Sequence, residues 1–224
     1  GVKRTTMTDW KEVEEPKVWV SRFPAWLDIV YLDPVTDGDL LEFIQDSQDR
    51  LALASQEDAP KYLYFEAGSK LRLREKDAFK IIDGLLVISP ELRDVLVQFD
   101  LGQTQLFEVP IYKNVKKKPS DLPNHFVLNV HAPKDTLLPE LSEKYERPIR
   151  RDETEPRPGV KWRPENSSAV AAVRAESCEG ADMWHDPNVR NVFFMSDRLK
   201  HAIDAAKLKT KALDLTPARV FEPV

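Results

Sequence analysis

The sequence predicts an α+β protein, a mostly antiparallel or mixed sheet with a few helices packed on it. Three observations carry that expectation. Short runs rich in Val, Ile, Tyr, Phe and Trp recur along the chain, as strands require. Residues 190–217 read as an apolar strand, a serine-capped amphipathic helix and a returning strand. Residues 83–110 repeat that order without gaps, Ser89 falling on Ser196 at a spacing of 107 residues.

In the later unit residues 192–195 are all apolar, as in a strand covered on both faces. Ser196 is placed to accept from the N–H groups of the next turn. Asp197 puts a carboxylate in that turn, where the helix dipole favours it. Leu199, Ala202, Ile203 and Ala206 follow at helical spacing, with Arg198, Lys200, Asp204 and Lys207 off that stripe. Leu213 and Leu215 alternate with Asp214 and Thr216 up to Pro217, which reads as the return strand. In the earlier unit Leu92, Leu96, Leu101, Leu106 and Pro110 align with Leu199, Ile203, Leu208, Leu213 and Pro217. Pro90 takes the first helical position, where its missing N–H costs little. The match fits an internal duplication and equally a chance pairing of two similar segments. With two related lobes, residues 1–120 form one and residues 121–224 the other; a chain of 224 residues is also short enough for a single domain.

Taken in order, residues 1–16 are polar and expected to fray at the start. Residues 17–20 and 28–32 are strands on either side of a turn at Phe23 and Pro24. Asp33 and Pro34 open a loop. Asp39 then caps a helix reaching about Leu53, with Leu40, Phe43, Ile44 and Leu51 as its buried face. Residues 61–65 and 70–73 form a hairpin across Ala67, Gly68 and Ser69, and residues 75–80 a helical turn. Residues 125–131 and 169–174 are further strands, and residues 184–188 a turn. The proline-rich, charged stretch 137–162 reads as an extended connection over the surface.

Composition narrows the function. Hydrophobic residues at 42% supply a core and charged residues at 32% a solvated surface. No apolar run approaches a membrane span, and the N-terminus does not resemble a signal peptide. Cys178 is the only cysteine, so no intramolecular disulfide or thiolate metal cluster forms, and a reducing cytoplasm is the expected location. His125, His131, His185 and His201 match no metal-binding spacing, and no phosphate-binding glycine loop is present; no metal or cofactor is expected.

Cys178 with His185 makes a weak nucleophile–base pair, since no local signature surrounds it. Ser69 and Ser196 lack a nucleophile elbow. His125 and His131 flank one strand on the same face. Lys113, Lys116, Lys117 and Lys118 form a basic run without interleaved aromatics in a chain of net charge −5, a poor nucleic-acid binder. The acidic side is more informative. Residues 28–60 hold nine acidic residues against Arg50 alone. Asp39, Glu42, Asp46 and Asp49 step by three or four along the expected helix, with Asp37, Glu57 and Asp58 close by. Like charges at that spacing weaken a helix. They serve solubility or a docking face for a basic protein partner.

Trp184, His185 and Asp186, the apolar residues 192–195, the run Ser196, Asp197, Arg198, Leu199 and Lys200, and then Ala202, Ile203, Ala205, Ala206 and Leu208 form one pattern. With the terminal Phe221, Glu222, Pro223 and Val224, it resembles the bacterial immunity proteins of polymorphic toxin systems, specifically immunity protein family 11. Lys207 stands where that family carries a glycine. The resemblance implies a cytoplasmic protein that binds and neutralises a cognate toxin, such as one delivered by a type VI secretion system. It carries no catalytic residues. Two alternatives stay open: an adaptor or structural protein of a secretion machine, and an enzyme uniting Cys178, His185 or the histidine pair in a cleft.

Overall fold

The computed structural model describes residues 9–22, 29–66, 73, 76–81 and 83–224, the side chains of Asp49 and Arg50 excepted. The turn at Phe23 and Pro24, residue Asp28 and the hairpin across Ala67, Gly68 and Ser69 lie outside the described residues. In chain order, strands β1 (Trp10–Val13), β2 (Val18–Arg22), β3 (Ile29–Val30) and β4 (Leu32–Val35) precede helix α1 (Leu40–Ile44). A π-helical segment (Gln45–Arg50) continues it. Next come β5 (Tyr62–Phe65), β6 (Ala78–Ile81), β7 (Leu86–Ile88), helix α2 (Pro90–Leu96), β8 (Gln105–Val109), β9 (Ile111–Tyr112) and β10 (His125–Asn129). The rest comprises β11 (Tyr145–Glu146), β12 (Arg163–Pro164), β13 (Ala172–Arg174), β14 (Met183–Trp184), β15 (Val192–Ser196), helix α3 (Asp197–Ala205), β16 (Leu215–Pro217) and β17 (Arg219–Pro223). The protein is α+β, with several mostly antiparallel or mixed sheets.

One arrangement occurs twice. The first large sheet runs β3-β6-β7-β10-β8 and the second β14-β15-β2-β16. Strand β10 lies antiparallel between β7 and β8, and β2 lies antiparallel between β15 and β16. Each helix therefore joins two parallel strands that leave a gap for a third, a split βαβ unit. The place of β3 beside β6 is matched by a parallel bridge of Pro133 to His185 beside β14. The small sheets correspond as well: β5 runs parallel to β9, as β13 does to β17. Pro34 sits opposite Leu63 in one, and Leu137 opposite Val173 in the other. The sheets do not follow a cut at residue 120. β10 completes the lobe before it, and the N-terminal β1 and β2 complete the later lobe.

Burial explains the apolar runs. Phe79, Ile81, Val87, Phe107 and Val127 pack into the core of the first lobe, with Phe43 and Leu63 above them. Val18, Val20, Trp184, Phe194 and Val220 form the corresponding core of the second. Between the lobes lies a shared core in which Ala78, Leu86, Ile88, Leu92 and Leu96 meet Met183, Phe193, Met195, Leu199 and Ile203. Strands covered on both faces lose the alternation of a half-exposed sheet and become continuously hydrophobic.

A reciprocal pair of clamps joins the lobes. Ser89 caps α2 by accepting from Leu92 N at 3.1 Å, and Ser196 caps α3 by accepting from Leu199 N at 3.3 Å. The Ser89 hydroxyl donates to Asp77 Oδ1 and the Ser196 hydroxyl to Asp182 Oδ1, each at 2.7 Å. The other carboxylate oxygens reach across: Lys209 N donates to Asp77 Oδ2 at 2.7 Å, and Asp100 N to Asp182 Oδ2 at 3.1 Å. Asp77 N and Asp182 N return the bond to the Lys209 and Asp100 carbonyls. Asp182 is buried; that burial raises its carboxyl, but hydrogen bonds from Arg198 and Ser196 outweigh it and hold it below the usual range.

Several elements differ from the sequence reading. Residues 78–81 form β6 where a helical turn is expected, because Phe79 and Ile81 fill the first core. Asp33 and Pro34 belong to β4, an edge strand, where proline removes no ladder bond. Trp184 ends β14, fully buried, rather than opening a turn. The stretch 137–162 is not confined to the surface, since Leu137, Leu138 and Tyr145 are buried. Leu213 closes a 3-10 turn. Helix α3 has 9 residues against 7 in α2, which displaces the return strand. The structural counterpart of Leu106 is therefore Leu215, opposite Ser21 as Leu106 is opposite Leu128.

Removing either capping hydroxyl by Ser89→Ala or Ser196→Ala is expected to cost about 1–2 kcal/mol in urea unfolding. Asp182→Ala, which strands the Ser196 hydroxyl, Asp100 N and the Arg198 guanidinium at once, is expected to cost more than either. Equal midpoints for all three variants and the wild type would show that the clamps carry no stability.

Candidate functional site

Four of the expected acidic residues converge where two loops meet. Gly38 N donates to the Glu57 carbonyl at 3.1 Å, and the Thr36 hydroxyl donates to the same oxygen at 3.0 Å. Asp39 N donates to Asp58 Oδ1 at 2.7 Å, while Asp39 Oδ1 accepts from Glu42 N at 3.1 Å as the cap of α1. A Cβ on Gly38 would collide with the Asp58 carboxylate, so only glycine allows this approach. Asp37 pairs with Lys61. Asp39 and Asp58 thus build the loop junction, whereas the Asp37 and Glu57 side chains are exposed on its rim. Leu41 projects beside them, 62% exposed.

Glu42 and Asp46 are half-buried on the helix, and each has a partner. Beyond Ile44 the helix changes to π spacing and ends at Leu51, which has φ 55. The steps of three and four that align Asp46 and Asp49 behind Glu42 apply to α-helical turns, so the stripe does not continue in that form. Phe43 is fully buried, while Leu40, Ile44 and Leu51 are partly so.

A second feature lies between the lobes: a cavity of about 320 Å³ bounded by the β6–β7 turn, the π segment and residues 190–193. Lys80 and His185 occupy equivalent positions in its wall, each directly after an aromatic core residue, Phe79 or Trp184. Gly84 and Asn191 are equivalent turn residues, both with positive φ. Burial pushes Lys80 down to about 8. Burial, with His131 and Lys161 adding to it, pushes His185 down to about 4. Asp83 is raised by burial and by the Asp33 carboxylate.

The remaining candidates do not assemble a catalytic group. His185 lies tilted against His131, ring centroids 5.3 Å apart, and accepts from Ala132 N through Nδ1 at 3.4 Å. His125 lies against Phe79 with Nδ1 at 2.9 Å from the Pro123 carbonyl, so the two histidines flanking β10 serve different surroundings. Cys178 packs against the second core, and burial pushes its thiol up to about 11. No hydrogen bond joins it to His185 among the described residues. Lys134 stands over Trp184 at 4.2 Å and donates to three carbonyls, of Ser177, Glu179 and Ala181. Ser196 acts as a cap, and His201 is exposed. Asp186 accepts from Thr136, Leu137 and Asn188 N, which fixes the segment after β14. Lys117 lies 4.5 Å from the Tyr62 ring, an aromatic neighbour that its local sequence does not reveal. Among the described residues no group of three or more His, Cys, Asp or Glu could hold a metal ion, and no helix is long and apolar enough to cross a membrane.

Sequence reasoning missed Asp77, Asp182, Lys80 and Asn129. A signal existed: Asp77-Ala-Phe-Lys and Asp182-Met-Trp-His share an acidic residue, an aromatic core residue and a basic one in the same order. No family model matches the chain, and a search of the curated proteins finds no match either.

With a folded value near 4 against 6.5 unfolded, His185 contributes full stability above pH 6.5 and loses it as the pH falls toward 4. Burial lowers His125 in the same sense. In an NMR titration the His185 ring protons are expected to keep their neutral-form shifts to below pH 5. Titration near its unfolded value would contradict this burial.

Proposed function

We propose that the protein acts by binding another protein through the acidic edge at residues 36–61, as an immunity protein does a toxin. The observation that carries this reading is the meeting of Asp37, Asp39, Glu57 and Asp58 at one loop junction. The junction's backbone is held by internal hydrogen bonds, so its charges are pre-arranged before a partner arrives. Exposed Leu41 supplies an apolar contact beside them. Such an edge suits a basic partner: its field speeds encounter and rejects acidic competitors. The role is non-catalytic and cytoplasmic, and it needs no cofactor. A thiol raised to about 11 gives Cys178 almost no thiolate at neutral pH, which weighs against the enzyme alternative that rests on it.

The two carboxylates that do not build the junction provide the test. Asp37→Lys combined with Glu57→Lys, which removes the exposed Asp37–Lys61 pair, is expected to cost no more than about 1 kcal/mol of stability. It should slow association with the toxin encoded beside this gene about tenfold at low salt, with a smaller effect at high salt. An unchanged association rate at low salt would remove this edge from the interface.

A further inference from the structure

Tyrosine is unevenly distributed in this protein. The chain has 5, and Tyr31, Tyr62, Tyr64 and Tyr112 all lie on or beside the small sheet β4-β5-β9. Tyr145 alone is elsewhere, buried in the second core. Pairing sets the direction of the others. Leu32, Leu63 and Ile111 turn into the first core, so the alternate residues Asp33, Val35, Tyr62, Tyr64 and Tyr112 share the opposite face. These are half-buried, and Tyr31, directly before β4, is 53% exposed. The Tyr62 and Tyr112 rings meet edge to face at 5.5 Å. The Tyr64 hydroxyl donates to the Asp33 carboxylate, and the Glu66 carboxylate acts on it as well.

The second lobe carries the same face in a closed form. Val173 and Val220 take the places of Leu63 and Ile111, which puts Ala172 in the place of Tyr62 and Phe221 in that of Tyr112. There Trp10, Leu138 and Leu141 pack with Ala172 and Phe221. Arg174 stands over the Trp10 ring at 5.4 Å, and Arg219 over the Phe221 ring at 5.1 Å. Trp10 lies two residues before Glu12, the partner of Phe221; Lys117 lies two before Pro119, the partner of Tyr112. Lys117 is exposed, and its Nζ stands 4.5 Å from the Tyr62 ring. A flexible basic side chain thus replaces the indole cover, and in both lobes this face sets cations on aromatic rings.

We propose that the tyrosine face of β4-β5-β9 is a docking surface for arginine and lysine side chains of a basic protein partner. Tyrosine offers a large rigid ring for contact and a hydroxyl that tolerates water until the partner arrives. The ring faces attract cations, and Asp33 and Glu66 beside Tyr64 complement their charge. The face is continuous with the acidic edge: Val35 leads through Thr36 to Asp37, and Lys61, which pairs with Asp37, precedes Tyr62. The inference rests on the protein-binding reading and supplies its anchor. Carboxylates of the edge govern encounter, and the tyrosines govern how long the complex lasts. Lys113, Lys116 and Lys118 follow β9, which makes a single-stranded nucleic acid the rival occupant. Its phosphates would oppose Asp33 and Glu66.

Two measurements separate the anchor from the reading it rests on. In the first, hexa-arginine peptide and, separately, oligothymidylate are added to the wild-type protein, and the tyrosine ring resonances are followed by NMR. Hexa-arginine is expected to move the rings of Tyr31, Tyr64 and Tyr112 and to leave that of Tyr145 in place. No movement with hexa-arginine, or movement as large with oligothymidylate, overturns the proposal. In the second, Tyr31→Ala combined with Tyr64→Ala is expected to raise the rate of dissociation from the toxin encoded beside this gene about tenfold. The association rate should stay within about twofold, the reverse of the pattern expected for Asp37→Lys with Glu57→Lys. Unchanged dissociation overturns the tyrosine anchor and leaves the acidic edge standing. Absence of any complex with the wild-type protein overturns the protein-binding reading, and the peptide result then decides the tyrosine face alone. The same peptide result decides it if the double variant does not fold.

Discussion

Asp77 and Asp182 each use one carboxylate oxygen to hold the serine that caps a helix of their own lobe, and the other to hold a backbone amide of the opposite lobe. A carboxylate accepts several hydrogen bonds at once, and bonds to a charged acceptor are worth more than neutral ones. Helix start, strand start and lobe-to-lobe contact are thereby settled at one residue in each half. The shared core of Leu86, Ile88, Phe193 and Met195 lies between the lobes that these clamps join. The same placement sets Lys80 and His185 together at the end of that core, where the cavity opens.

Much of this was legible in the sequence, and the parts that were not have physical reasons. The α+β class, the caps at Ser89 and Ser196 and the stripe led by Leu199 and Ile203 depend on local chemistry, which a sequence displays. The pairing of β2 with β15 and β16 does not, because it joins residues at opposite ends of the chain. An ungapped alignment also hides the longer α3, so Leu213 reads as a strand residue when Leu215 holds that position. At the acidic edge the charges were visible, and so was the cap that Asp39 makes by accepting from Glu42 N. The role of Asp58, acceptor for Asp39 N, appears only when residues 36–39 and 57–58 meet. The cavity was invisible because its polar wall draws single residues from both lobes.

The two candidate surfaces have different physical characters. The acidic edge is exposed, polar and rigid, features that suit rapid encounter with a folded partner of opposite charge. The cavity is a half-open cleft whose wall contains groups that burial has driven toward neutrality, His185 among them. A cleft of that size suits a small molecule better than a large flat partner. A protein can carry both without conflict, since the junction of residues 36–39 and 57–58 is built within the first lobe alone.

The central functional claim, neutralisation of a toxin by direct contact, is tested most directly by co-expressing this protein with the product of the adjacent gene. Growth and complex formation are scored in the same cells. The account expects growth to be restored and the two proteins to co-purify as a one-to-one complex. Restored growth without any complex, or no restoration at all, would contradict it.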